Sequence, residues 1–129
     1  MSAGAFRLAA MGDVMMARDV GQHFAVAPED FAMADIGGLL RGFDLVVLNL
    51  ENPVATGGQP DPVQDPHVTF RAHPETLRVI KELGVRMVAL GNNHMLDYGE
   101  PPLAETNALL DDAARALGLL PRLRPQLVQ

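Results

Sequence analysis

Asn92, Asn93, His94 and Asp97 stand together in the segment Ala89-Leu90-Gly91-Asn92-Asn93-His94-Met95-Leu96-Asp97-Tyr98-Gly99. Two amides, an imidazole and a carboxylate packed that densely do not suit a core. Asn, Asp and Gly are ordinary turn residues, but a plain turn does not require an Asn-Asn-His-x-x-Asp order. Such groups can move a proton, and their oxygens can hold a hard or borderline divalent cation. Two other places carry similar groups. Asp13 follows Gly12 directly after the apolar run Phe6 to Met11. Asn49 and Glu51 close the apolar run Asp44 to Glu51, two residues apart, so strand geometry puts both on one face. A buried amide such as Asn49 needs partners. His67 and His73 are lone histidines near loops and read as structural or solvated.

These groups need elements that bring them together. Leu8 to Met11, Leu45 to Leu48 and Val85 to Leu90 are short apolar runs, the pattern of strands covered on both faces. Ala17 to Phe24 reads as a loop or short helix. Pro28-Glu29-Asp30 opens a helix with Phe31, Ala34, Leu39 and Leu40 on its apolar side. Gly37-Gly38 weakens that helix by roughly 1 kcal/mol per Gly relative to Ala. The stretch 52–66 holds four Pro and two Gly and reads as a long loop. His67 to Arg71 alternates like a small edge strand. Pro74-Glu75 opens a helix that Gly84 closes. Pro101-Pro102 opens a last helix, with Leu103, Thr106, Leu110, Ala113, Ala114 and Leu117 on one face and Gly118 at its end. Residues 119–129 show no period and read as an irregular tail.

Strands alternating with amphipathic helices predict an α/β fold: a layered, mostly parallel sheet with helices on both faces and Leu8, Val46, Val47, Val88 and Leu90 buried. In a parallel sheet the carboxyl ends of all strands share one edge, where ligands of open α/β sheets bind. Asp13, Asn49, Glu51, Asn92, Asn93, His94 and Asp97 are therefore expected at one cleft. Oxygen donors with an imidazole suit Mn²⁺, Mg²⁺ or Fe²⁺, and the arrangement permits metal-assisted hydrolysis of a phosphate ester with His94 near the leaving group.

Composition narrows the partners. The chain has 129 residues, 48% of them hydrophobic, which suits one domain with a real core. Its net charge of −6 argues against a nucleic-acid or anionic-membrane surface. With no Cys, neither disulfides nor thiolate metal sites exist. No run approaches the ~20 apolar residues of a membrane span, and residues 1–11 lack the charged start and apolar body of a signal peptide; a soluble chain is expected. A nucleotide-binding Rossmann domain is disfavoured, since neither G-x-G-x-x-G after the first strand nor a P-loop motif is present.

Four stretches carry a family resemblance. Leu8 to Arg18, Asp44 to Pro53, Phe70-Arg71-Ala72-His73-Pro74-Glu75 and Asn92 to Gly99 together resemble the CapA family of capsule-synthesis proteins, in order and spacing, over about Leu8 to Gly118. That family is associated with poly-γ-glutamate capsule production and is similar in fold to calcineurin-like metallophosphoesterases. The resemblance implies a metallophosphoesterase-like half-domain over residues 1–118. It implies Asp13, Glu51 and Asn93 as metal ligands, His94 as the catalytic imidazole, and Asn49 and Asn92 in support. Asp97 is placed to orient the imidazole, a role inferred from the H-x-x-D spacing. Met15 sits where the wider superfamily carries a His ligand.

Family members are longer, and their second half is expected to supply a further Gly-His-x-His-like segment. Residues 119–129 do not look like that continuation, so the chain reads as a fragment, a truncated product or a degenerate copy. Family members are often membrane-associated or exported. Two functions follow: a metal-dependent phosphoesterase-like hydrolase acting on a phosphoester or polymer, incomplete in this chain, or a non-catalytic module that binds a polymer or partner protein through the same rim. With few ligands and sheet surface left bare, weak divalent-ion binding, negligible phosphatase activity and self-association or dependence on a partner chain are expected.

Overall fold

The run Leu45–Leu50 forms β2, the middle strand of a three-stranded parallel sheet ordered β1-β2-β3, with β1 at Leu8–Val14 and β3 at Met87–Ala89. The computed structural model describes residues 4–27 and 34–118; the expected helix opening at Pro28 to Phe31 and the tail 119–129 lie outside the described residues. Parallel neighbours cannot be joined by tight turns. Helices α1 (Arg18–Val26) and α2 (Ala34–Leu40) lie in the connection from β1 to β2, and α3 (Leu77–Glu82) lies in that from β2 to β3. Helix α4 (Glu100–Ala116) follows β3, opened by Pro101 and Pro102 in its first turn. The fold is α/β with a small parallel sheet, as the alternation predicts. Gly37 and Gly38 lie inside α2 without breaking it.

Burial alternates along β2. Val46, Leu48 and Leu50 are buried and pack with Phe24 of α1, Leu40 of α2, and Val79 and Ile80 of α3. Leu45 and Val47 point the other way and are half-buried. By register Leu8 and Met87 share that second face, since Leu8 pairs with Leu45 and Val47 with Met87. Leu8, expected in the core, is 53% exposed, and Val47, Val88 and Leu90 are half-buried. The reason is local. Side chains alternate across a strand, and among the described residues the apolar cluster gathers on the Val46 side. A continuous apolar run does not distinguish the two faces.

The expected edge strand at His67 to Arg71 is also different. Pro66–Val68 forms a 3₁₀ turn whose entry is capped by the Asp65 carboxylate, which accepts the His67 N–H at 2.9 Å. Only Ala72 pairs strand-like, in a single parallel bridge with Val54. His73 caps the next 3₁₀ turn, its Nδ1 accepting the Glu75 N–H, a structural role.

The long loop is pinned at several points. The buried Thr106 hydroxyl accepts the Val54 N–H at 2.8 Å and lies 2.7 Å from the Pro102 carbonyl to which it donates. The Glu105 carboxylate accepts both the N–H and the hydroxyl of Thr56. Arg71 donates to the carbonyls of Gly57 and Gly58 while its guanidinium covers the Tyr98 ring at 4.6 Å. Gly58, at φ +90°, sits so close to α4 that a Cβ would meet Pro102 Cγ at 2.4 Å. Buried Asn52 ties the strand exits together, accepting the Met16 N–H at 2.8 Å.

Two outcomes follow. Thr106→Val strands the buried Val54 N–H and is expected to cost about 1–3 kcal/mol in urea unfolding; a change indistinguishable from zero would show that the loop is not held there. The Thr56 N–H holds the Glu105 carboxyl below its ordinary value of 4.5. Its contribution is therefore complete above that value and is lost as pH falls through the depressed folded value. Glu105→Gln should flatten the pH dependence of stability in that acidic window, measured by thermal unfolding at stepped pH.

Candidate functional site

The carboxyl ends of the strands carry the polar groups, and a slip in the ladder sets their meeting point. Ala10 pairs with Val47, so a regular ladder would set Gly12 beside Asn49. The register shifts between Ala10 and Asp13, and Asp13 takes the place beside Asn49 instead. One extra residue in β1 thus turns the Asp13 carboxylate onto the face that Asn49 occupies. Asn49 then acts as the hub. Its Nδ2 donates to Asp13 Oδ1 at 2.8 Å and to Glu51 Oε2 at 2.5 Å. Its Oδ1 accepts from Asn92 Nδ2 at 3.0 Å. Both donors and the carbonyl oxygen are used, which fixes the amide orientation.

After β3 the chain enters a run of turns that presents the remaining groups. Asn92 Nδ2 also donates to the Leu50 carbonyl at 2.8 Å, and Asn92 Oδ1 accepts the His94 N–H at 3.0 Å. His94 Nδ1 lies 2.9 Å from Asp97 Oδ2, and its Nε2 lies 3.7 Å from Glu51 Oε1. Asp97 is fully buried, and the same Oδ2 accepts the Phe70 N–H at 2.7 Å. With Asp97 ionised, Oδ2 has only acceptor capacity and Nδ1 is the donor to it; Nε2 is the nitrogen presented toward Glu51 and the rim. The Phe70 ring lies against the imidazole, with centroids 4.4 Å apart.

Six of the seven residues singled out by sequence thus join one chain of contacts: Asp13, Asn49, Glu51, Asn92, His94 and Asp97. Asn93 is exposed, next to that chain in sequence, with no hydrogen bond to other described residues. Met15 turns its sulfur to its own backbone, where Sδ accepts the Ala17 N–H at 3.2 Å. Sequence reasoning overlooked Phe70 as a site residue. The only signal was its place in the Phe-Arg-Ala-His-Pro-Glu stretch, because a phenylalanine announces no chemistry.

The donor set does not fit a resident divalent ion as it stands. Asp13 and Glu51 are bridged by an amide N–H donor, and an amide nitrogen offers a cation no lone pair. Among the described residues no group of three or more His, Cys, Asp or Glu side chains is placed to hold a metal. What the arrangement can do unaided is acid–base chemistry at His94 Nε2.

Residues 7–118 match the family model for the bacterial capsule synthesis protein PGA_cap. The chain is 31% identical over 97 residues to the capsule biosynthesis protein CapA of Bacillus anthracis, which covers 74% of this chain and 24% of that protein. It is 28% identical over 96 residues to the PGA biosynthesis protein CapA of Bacillus subtilis, covering 74% and 25%. A probable polyglutamine synthesis accessory protein of Mycobacterium tuberculosis is 33% identical over 70 residues, covering 54% and 18%. The matched stretch spans about a quarter of the length of the two Bacillus relatives.

Because Asn49 occupies both carboxylates, Mn²⁺ should bind the native chain only in the millimolar range or more weakly by isothermal titration. Asn49→Asp replaces the donor by a third carboxylate and should tighten Mn²⁺ binding by about tenfold or more, in line with the dependence of affinity on ligand charge. Micromolar binding by the native chain would show that the amide bridge yields readily to a cation.

Proposed function

Since the chain belongs to the bacterial capsule synthesis protein family, we propose that it serves capsule and poly-γ-glutamate biosynthesis, and that its rim is part of a phosphoesterase-like hydrolytic site in which His94 moves the proton. The names of its Bacillus relatives, capsule biosynthesis and PGA biosynthesis, support the first half. The observation that carries the second is the buried Asp97 carboxylate against His94 Nδ1 at 2.9 Å.

In this reading Asp97 holds the imidazole in one tautomer and stabilises the positive charge that develops when Nε2 takes a proton. Nε2 can then accept a proton from an attacking water or hand one to a departing oxygen. Glu51 Oε1, 3.7 Å away, faces the same nitrogen, and the exposed Asp13 marks the outer end of the site. A cation at Asp13, Glu51 and Asn93 would first have to displace the Asn49 amide, so no step is assigned to it.

The amide bridge also favours a second reading: a non-catalytic module that binds the polymer or a partner protein through the same rim. Two carboxylates already engaged by one amide present a polar surface and need no chemistry. No described helix is long and apolar enough to cross a membrane.

Activity separates the two readings. The purified chain should hydrolyse an aryl phosphate slowly, with little gain from Mn²⁺, and should self-associate on size exclusion with light scattering. His94→Ala should remove the residual turnover by roughly 10²-fold or more, the usual worth of a positioned acid–base group. Turnover unaffected by His94→Ala would leave the binding reading. Brisk Mn²⁺-dependent turnover by a monomer, lost in Asp13→Ala, would instead require a cation at the rim.

A further inference from the structure

We propose that Phe70 is a positioning residue for His94, holding the imidazole plane with its ring and the orienting carboxylate with its backbone. For its effect on turnover the inference rests on the acid–base reading of His94; its structural content does not. Two contacts from one residue carry it. The Phe70 ring lies 4.4 Å from the imidazole, centroid to centroid, at an interplanar angle of 43°. The Phe70 N–H reaches Asp97 Oδ2 at 2.7 Å, the same oxygen that meets His94 Nδ1 at 2.9 Å.

These contacts remove different freedoms. A hydrogen bond from Nδ1 fixes one edge of the imidazole but leaves it free to rock about that edge. A ring packed against its face blocks the rocking. The Asp97–Nδ1 bond lies between side chains largely withdrawn from water, and a hydrogen bond shielded from water is electrostatically stronger. Asp97 is 0% exposed, and the His94 side chain is 16% exposed.

Phe70 is itself well held. Before it, the Thr69 hydroxyl donates to the Asp65 carbonyl at 2.9 Å. After it, Arg71 binds Gly57 and covers Tyr98, and Ala72 pairs with Val54. The ring is half-buried and, unlike Phe24, does not belong to the apolar cluster formed by the described residues. Its large apolar face is spent on an imidazole instead of the core.

The test reads the imidazole directly. In the full chain, ¹⁵N-correlated NMR should show His94 in a single tautomer protonated at Nδ1, with a slowly exchanging Nδ1 proton. Phe70→Tyr keeps the ring and should preserve both features. Phe70→Leu keeps the amide and an apolar side chain but loses the ring face; with the α4 amide signals unchanged, exchange of the Nδ1 proton should quicken by about tenfold or more. Where turnover is measured, kcat should fall by roughly tenfold with KM unchanged and recover in Phe70→Tyr, a loss in the range expected for misplacing a catalytic group. A Phe70→Leu chain with native tautomer and native Nδ1 exchange would overturn the proposal. A loosened Nδ1 proton beside turnover indifferent to His94→Ala would uphold the positioning role and reject the acid–base reading, so the two failures are distinct.

Discussion

A wholly buried carboxylate is costly unless its charge is met by hydrogen bonds. Asp97 meets that demand at Oδ2, and its side chain and backbone together hold three separate stretches at one point. Its Oδ2 takes the Phe70 amide and the His94 ring, and its backbone carbonyl takes the Asp61 N–H at 2.9 Å. The long loop, the segment before α3 and the turns after β3 are thereby tied to one residue. The bond at Oδ2 also holds the His94 ring, so the packing around the rim and the orientation of that imidazole have a common cause. Asp97 Oδ1 has no hydrogen-bond partner among the described residues, so the anchoring falls on Oδ2 and on the backbone.

Asn49 plays the corresponding part on the other side of the rim. It lies on the less covered face of the sheet, and its amide joins carboxylates delivered by β1 and by the end of β2. One network therefore combines an acid–base pair with an amide-bridged pair of acids. The first half looks like catalysis and the second like binding. A family whose named members serve capsule and poly-γ-glutamate synthesis accommodates either use. Since the matched stretch is about a quarter of the Bacillus relatives, groups from the rest of such proteins would bear on which use prevails.

Much of this was legible in the sequence, for identifiable reasons. Apolar runs ending in polar residues located all three strands, and proline at the helix openings located α4. The H-x-x-D spacing anticipated the His94–Asp97 pair because a tight turn brings those side chains together; the Asp97 N–H indeed bonds to the His94 carbonyl at 3.1 Å. Other features depend on geometry that a residue string does not carry. The exposure of Leu8 depends on which face of β1 the helices cover. The partnership of Asp13 with Asn49 depends on a one-residue slip near Gly12. Asn49, read as a supporting residue, is the hub because its two donors fall between two carboxylates. Phe70 contributes through a backbone N–H and a ring face, neither of which is visible in its residue type.

The most direct test of Asp97 as the organising anchor is native-state amide hydrogen exchange at Phe70 and Asp61. If the account is right, both amides exchange only through large opening reactions in the native chain; in Asp97→Leu the Phe70 amide, left without its carboxylate acceptor, loses most of that protection, while the Asp61 amide, bonded to the backbone carbonyl of residue 97, is less affected and the amides of β2 keep theirs. Rapid exchange of the Phe70 amide in the native chain, or protection of that amide that survives Asp97→Leu unchanged, would contradict it.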